Sequence, residues 1–464
     1  MAIDDIRSFL QILDHEGELH HITAEVDWDQ EIAAITDRIS KRDDGGPGLV
    51  FHQVKGYPIP VGTNLFGSFR RMQLAMGGHD ADMLGKHLAA AIRSELGSTS
   101  FQKLKVFLER EDFRPLLVEK PPCQAHIFDK GPTVEKYVPA LKTWPDDGGR
   151  YLTLPLVITR DPESGEHNYG LYRVQIKRNN QLAIHWAPSS DGARHHELYR
   201  QRLQKTPVAI ALGGAPALMY AACAPVPKGC DEAAFAAFLR GEPVPMATSL
   251  IHGLRVPAGA DFVLEGYVDR DETVTEGPFG NHTGFYDIPQ RAALFRVHTL
   301  TGREDPVYTC TVVGPPPMED CYMAKFTERL FLPLIQMDYP WIEDIYQPME
   351  GIFHQCTFMS IKKNGPGEGA ERIRQLWSGS WWPRARLLAV FDEGTNLSEG
   401  SGLLWRLMNS VNPGTDILVN GDQVGIDATS KVAGEPGFES DRNPIKESAA
   451  IQQLLARRWG DYGL

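Results

Sequence analysis

Residues 276–287 read EGPFGNHTGFYD, and the side chains packed into them suit proton transfer beside a flat ligand. Glu276 is a carboxyl that can give or take a proton. Gly277 and Gly280 permit unusual backbone angles and close approach of a ligand, while Pro278 stiffens the bend between them. Such a loop can hold a carboxylate rigidly; a plain turn between strands uses the same residues, and spacing does not separate the two. Asn281 can hydrogen-bond a ligand, and His282 can relay a proton. Phe279, Phe285 and Tyr286 can line a pocket or pack into a core.

Arg173, in YGLYRVQI, is a charge between apolar neighbours and needs a partner or a ligand. A planar guanidinium fork matches a carboxylate, so orienting an acidic substrate is one use and a buried ion pair is the other. Asn168 lies five positions earlier. On an uninterrupted strand the two face opposite sides, so they share a site only if the chain bends between them. His195 and His196 open a predicted helix in GARHHELYRQ, and Glu232 stands in the first turn of CDEAAFAAFLRG, where the helix dipole alone favours an acid. An amide oxygen, a carboxylate and one imidazole can also hold Mg2+ or Mn2+. Pro315, Pro316 and Pro317 form a rigid extended wall.

These residues need elements to position them. The N-terminus shows helical periodicity through Ile6, Phe9, Leu10 and Leu13, and GLVFHQV and IPVGTNLFG follow as short strands. DADMLGKHLAAAIRSEL reads as a helix. From about residue 151 the pattern is strand-rich: LTLPLVITRD, then two strands turned at Asn179 and Asn180, then VAIALGG, then strand, turn and strand over 261–287. This predicts a barrel-like sheet domain. After about 320, strands CTFMSIKK, RLLAVFD and DILVN alternate with helices, an α/β layer. The last helix, IKESAAIQQLLARRWGDYG, carries an apolar stripe that either a partner subunit or its own chain could cover.

The chain has 464 residues, enough for two or three cores, and a formal net charge of −13, which argues against a nucleic-acid partner. No apolar run approaches a membrane span, and the acidic N-terminus resembles no signal or transit peptide, so a cytoplasmic address is expected. Six scattered cysteines form no CxxC pair and read as reduced thiols. Nucleotide-binding, serine-hydrolase and zinc-protease motifs are absent from the sequence.

Together, NLFGSFRRMQLAMG, HNYGLYRVQ, EGPFGNHTGFYD, GPPPMED, SIKK and GIDATSK resemble the UbiD family of reversible decarboxylases over nearly the whole chain. The resemblance implies a mixed α/β fold: an N-terminal α/β part (1–115), a split β-barrel that binds prenylated flavin mononucleotide (116–315), and a C-terminal α/β oligomerisation domain (316–464). It implies that Arg173 and Glu276 are catalytic. It also implies that Asn168, His195 and Glu232 hold Mn2+ or Mg2+ against the cofactor phosphate, with His196 as the near alternative to His195. Pro316 is placed at the cofactor, and K+ is a further candidate ion. The family pattern carries a second acid five residues after the first; here that position is Asn281, so the expected acid network is incomplete and Glu276 is left as proton donor, with Asn281 and His282 assisting.

The implied reaction is loss of CO2 from an aromatic or heteroaromatic acid. That step leaves a carbanion that no side chain can stabilise, so an organic electron sink is needed. A hydroxybenzoate-type substrate is expected ahead of pyrrole-, furan- or indole-type acids, because a para hydroxyl would relax the demand for a second acid. The expected partners are substrate and CO2, a flavin prenyltransferase as cofactor supplier, and copies of the chain in a homodimer or homohexamer. The other reading is a non-catalytic flavin-binding subunit of a larger enzyme.

Overall fold

The strands of the central sheet run, in hydrogen-bonded order, 151–152, 174–176, 181–184, 290–302, 260–276, 206–213, 155–160 and 167–171, with 126–127 also paired to 290–302. The last strand of that path, His167–Leu171, and the second, Val174–Ile176, are separated in the chain by only Tyr172 and Arg173. Two ends of one sheet joined by two residues force the sheet to roll up, and the result is a barrel with a split at Tyr172–Arg173. Its interior is filled by alternate residues of these strands, among them Val157, Val174, Leu182, Ile210, Leu264 and Phe295. The sequence predicted two strands over 168–188; the first is broken in two, and the break is the seam.

The computed structural model describes residues 2–128, 133–352, 355–379, 385–439, 445 and 447–463. Before the barrel, strands Leu19–Val26, Gly48–Val54 and Val61–Thr63 form a sheet that takes its fourth strand, Tyr308–Thr309, from beyond the barrel. Helix Ile6–His15 buries Ile6, Phe9 and Leu13 at the predicted helical spacing, and Asp5 caps it by accepting the Ser8 N–H. Helix Ala81–Leu96 lies against Glu319–Asp338 so closely that a Cβ on Gly85 would come within 2.2 Å of the Leu330 carbonyl. Glu319 also reaches back to accept the Phe66 N–H at 2.7 Å, tying GPPPMED to NLFG.

The C-terminal sheet has the order 342–346, 356–361, 387–392, 423–427, 417–420, parallel at its centre and antiparallel at both edges. This is the predicted α/β layer. Lys363 of SIKK donates to Thr429, to the Ser430 carbonyl and to Glu435, so two distant motifs close on each other. Among the described residues, helix Ala449–Arg458 buries none of its side chains. No described helix is long and apolar enough to cross a membrane. All six cysteines are free thiols.

The strand, turn and strand expected over 261–287 are present: one strand runs from Ala260 to Glu276 and carries the charged run Asp269–Glu272 within it, and the chain turns after it. Its pairing passes from Val268↔Phe295 to Thr273↔Ala293, so the charged residues bulge out into solvent between them.

Candidate active site

Arg173 sits in the barrel seam, and its side chain faces the end of the strand Ala260–Glu276. Nε and Nη2 donate to the two oxygens of Glu276, each at 3.0 Å, and Nη1 donates to Asp287 at 2.6 Å. The Glu276 side chain is fully buried. Burial by itself would raise its pKa, but His185, 3.5 Å away, and the Arg173 fork outweigh it and hold the carboxyl down to about 2. Phe279 lies under the guanidinium at 4.6 Å from ring centre and packs on Tyr151, so of the three loop aromatics it has the packing role. Phe285 is exposed, and the Tyr286 hydroxyl accepts the Asp146 N–H.

The loop is gripped by the segment 143–151. Asp147 accepts the N–H of Gly280 through one oxygen and those of Thr143 and Trp144 through the other. Gly148 N–H and the Tyr151 hydroxyl both donate to the Pro278 carbonyl. Gly277 has φ +97°, open to glycine alone at low cost. A Cβ on Gly280 would meet the Trp144 ring at 2.4 Å. Trp144 in turn donates to the Val313 carbonyl at 2.8 Å, joining the loop to the proline wall. Pro316 is half-buried in that wall.

The expectation of a single loop acid is corrected here. Phe279–Gly280 and Tyr286–Asp287 pair as a short hairpin, which folds Asp287 back opposite Phe279 and onto Arg173. Asn281 does not stand alone in place of an acid: its amide nitrogen donates to Asp287 at 2.7 Å. His282 is half-buried beside them; burial pushes its pKa down, with Arg173 adding to the effect and Asp287 opposing it.

A second cluster lies on the neighbouring strand pair. Thr159 and Asn168 are ladder partners, and the Thr159 hydroxyl is 2.9 Å from His195 Nδ1. Glu232 accepts the N–H of Tyr169, the residue after Asn168. The three predicted metal ligands are thereby gathered around one short ladder. His195 Nε2 lies 3.0 Å from Arg194 Nη2. A guanidinium can only donate, so Nε2 carries the lone pair and Nδ1 the proton. Burial and Arg194 both keep this imidazole neutral. His196 turns elsewhere, to the Thr206 hydroxyl at 2.8 Å and the Trp186 ring.

This donor set fits a hard divalent ion. Glu232 is a carboxyl whose burial pushes its pKa well up, with Asp231 and Asp191 adding to the effect. The Asn168 amide nitrogen faces the Tyr172 hydroxyl at 3.5 Å, which leaves its oxygen as acceptor. A phosphate also fits nearby. Among the described residues the buried indole N–H of Trp186 meets no acceptor, and a Cβ on Gly192, in the first turn of helix Asp191–Gln201, would lie 2.7 Å from it. Helix N-termini favour anions.

Sequence reasoning missed Asp287, His185 and the Trp144–Asp147 grip. Only Asp287 left a signal: NHTGF between two aromatic-containing pairs is a hairpin pattern, and closing it brings residue 287 back toward 276.

Profiles of the 3-octaprenyl-4-hydroxybenzoate carboxy-lyase match the chain in three parts: the N-terminal domain over residues 10–92, the Rift-related domain over 116–316 and the C-terminal domain over 321–437. An uncharacterized protein of Aquifex aeolicus is 39% identical over 480 residues, covering 99% of each chain. Among solved structures, an evolved dimeric form of the UbiD-class enzyme HmfF of Pelotomaculum thermopropionicum, in complex with prFMN, superposes with TM-score 0.80 at 26% identity, covering 97% of this chain and 99% of its own. Vanillic acid decarboxylase of Sedimentibacter hydroxybenzoicus, in closed form, superposes with TM-score 0.84 at 24% identity and 99% coverage of both.

Proposed function

This chain belongs to the UbiD family of carboxy-lyases, and from that premise we propose that it is a prenylated-FMN-dependent decarboxylase of an aromatic or heteroaromatic carboxylic acid, working reversibly. The observation that carries the proposal is the Arg173–Glu276 pair buried at the barrel seam. A non-catalytic flavin-binding subunit would not need a guanidinium clamped to a buried carboxylate at that seam.

The bound cofactor supplies the electron sink that loss of CO2 from an sp2 carbon demands. Asn168, His195 and Glu232 would hold the divalent ion, Mn2+ or Mg2+, with Trp186 and the first turn of helix Asp191–Gln201 toward the phosphate. Arg173 orients the substrate carboxylate. Of its two acidic partners, Glu276 is held by two bonds in a buried position, whereas Asp287 is held by one at a part-exposed position. The Asp287 contact is therefore the one a substrate carboxylate exchanges with or joins. Trp144 and Phe279 fix the loop and keep water from the Glu276 side.

The sequence-based preference for hydroxybenzoates rested on a missing second acid. With Asp287 beside Arg173 that footing is gone, and hydroxybenzoate-, pyrrole-, furan- and indole-type acids enter the test on equal terms. The test is CO2 release from such a panel by protein made with and without a flavin prenyltransferase. Release only after co-expression supports the proposal; equal activity from flavin-free protein overturns it.

A further inference from the structure

Asp287 is bound on both carboxylate oxygens by groups that belong to the site. Arg173 Nη1 donates to Oδ2 at 2.6 Å, and Asn281 Nδ2 donates to Oδ1 at 2.7 Å. The Asn281 amide cannot turn around, because its oxygen already accepts the Thr283 N–H at 2.8 Å and the Thr283 hydroxyl at 2.6 Å. Asn281 is 8% exposed and so is held as a fixed donor. The Asp287 side chain is 39% exposed, which connects it to solvent. Glu276 is also held on both oxygens, by Arg173, but its side chain is sealed off from solvent.

We propose that Asp287 is the proton-carrying carboxyl of this site, with Asn281 as the residue that positions it and Glu276 as the anion that fixes Arg173. The proposal rests on the decarboxylase reading and assigns its proton-transfer step. When the substrate carboxylate docks at Arg173 it meets the Asp287 carboxyl there, which draws its proton from solvent through its exposed side. The bond from the ring carbon to the carboxyl carbon then breaks and CO2 leaves. The Asp287 proton forms the new C–H bond with the electron pair left at the ring carbon, and the Asp287 carboxylate takes a proton back from solvent. Among the described residues, the other charged or titratable groups facing this corner are Glu276, His185, Lys177 and Tyr151 along the strands and His282 in the loop.

Two measurements test this. In cofactor-loaded protein, Asp287→Asn should lower kcat at least about a hundredfold, the usual size of a general-acid contribution, with KM changed by less than about threefold. Exchanging the pair, Asn281→Asp with Asp287→Asn, should restore at least about a tenth of the wild-type kcat, since a carboxyl then stands 2.7 Å from where the first one was. The second measurement needs no turnover: calorimetry of benzoate binding in buffers of different ionisation heat should show uptake of about one proton, absent in Asp287→Asn and kept in Glu276→Gln. The proposal is overturned if Asp287→Asn keeps more than about a third of wild-type kcat. It is equally overturned if that variant gains activity with a lower KM, because Asp287 would then only occupy the substrate's seat, or if uptake is the same with and without Asp287. Failure of the decarboxylase reading looks different: wild type releases no CO2, yet the Asp287-dependent proton uptake remains.

Discussion

Arg173 and Glu276 meet edge to edge, two parallel hydrogen bonds of 3.0 Å joining residues 103 positions apart in the chain. The pair presents one rigid fork to the barrel seam. Arg173→Ala should abolish turnover while flavin stays bound, and Arg173→Lys should not rescue it, because an ammonium cannot make two parallel bonds to Glu276. Glu276→Gln should lower kcat by more than tenfold through loss of that clamp. Retention of more than about a tenth of wild-type activity in Arg173→Ala, a deficit below about 1.4 kcal/mol, would remove Arg173 from the mechanism.

The same pair gives the fold a pH signature. Glu276 is held at about 2 in the folded chain against an ordinary 4.5. Its contribution to stability is therefore complete above about pH 4.5 and is lost as the pH falls toward 2. In full it amounts to roughly 3 kcal/mol, an order-of-magnitude figure. Thermal unfolding at pH 6 and pH 3 should show a larger fall in Tm for wild type than for Glu276→Gln. Equal falls would mean that the clamp is not formed in solution.

The gathering of Asn168, His195 and Glu232 around the Thr159–Asn168 ladder predicts which histidine matters. His195→Ala and Glu232→Ala should each lower bound Mn2+ and retained flavin together, whereas His196→Ala should leave metal content within about twofold of wild type. Metal analysis of the three purified variants decides it. Full metal occupancy in Glu232→Ala would disprove the ligand assignment.

Much of this site was legible in the sequence, and the parts that were not share one physical cause. Glu276, with its flanking glycines and Pro278, announced a constrained loop because those residues act locally on the backbone. Arg173 announced itself as a charge in an apolar strand. The seam between Leu171 and Val174 was open as a condition and not as a prediction, because strand order around a barrel is set by partners far away in the chain. Asp287 was overlooked for a similar reason: its role comes from a hairpin only two residues deep on each side, below the length at which alternation can be read.

The central claim, that this site replaces a carboxylate by a proton at an unsaturated carbon, is tested most directly by turnover in D2O. Cofactor-loaded wild type, given the panel of aromatic and heteroaromatic acids, should release CO2 and place one deuterium per CO2 at the carbon that carried the carboxylate, as read by mass spectrometry and NMR of the product. No CO2 and no deuterium across the whole panel would contradict the account.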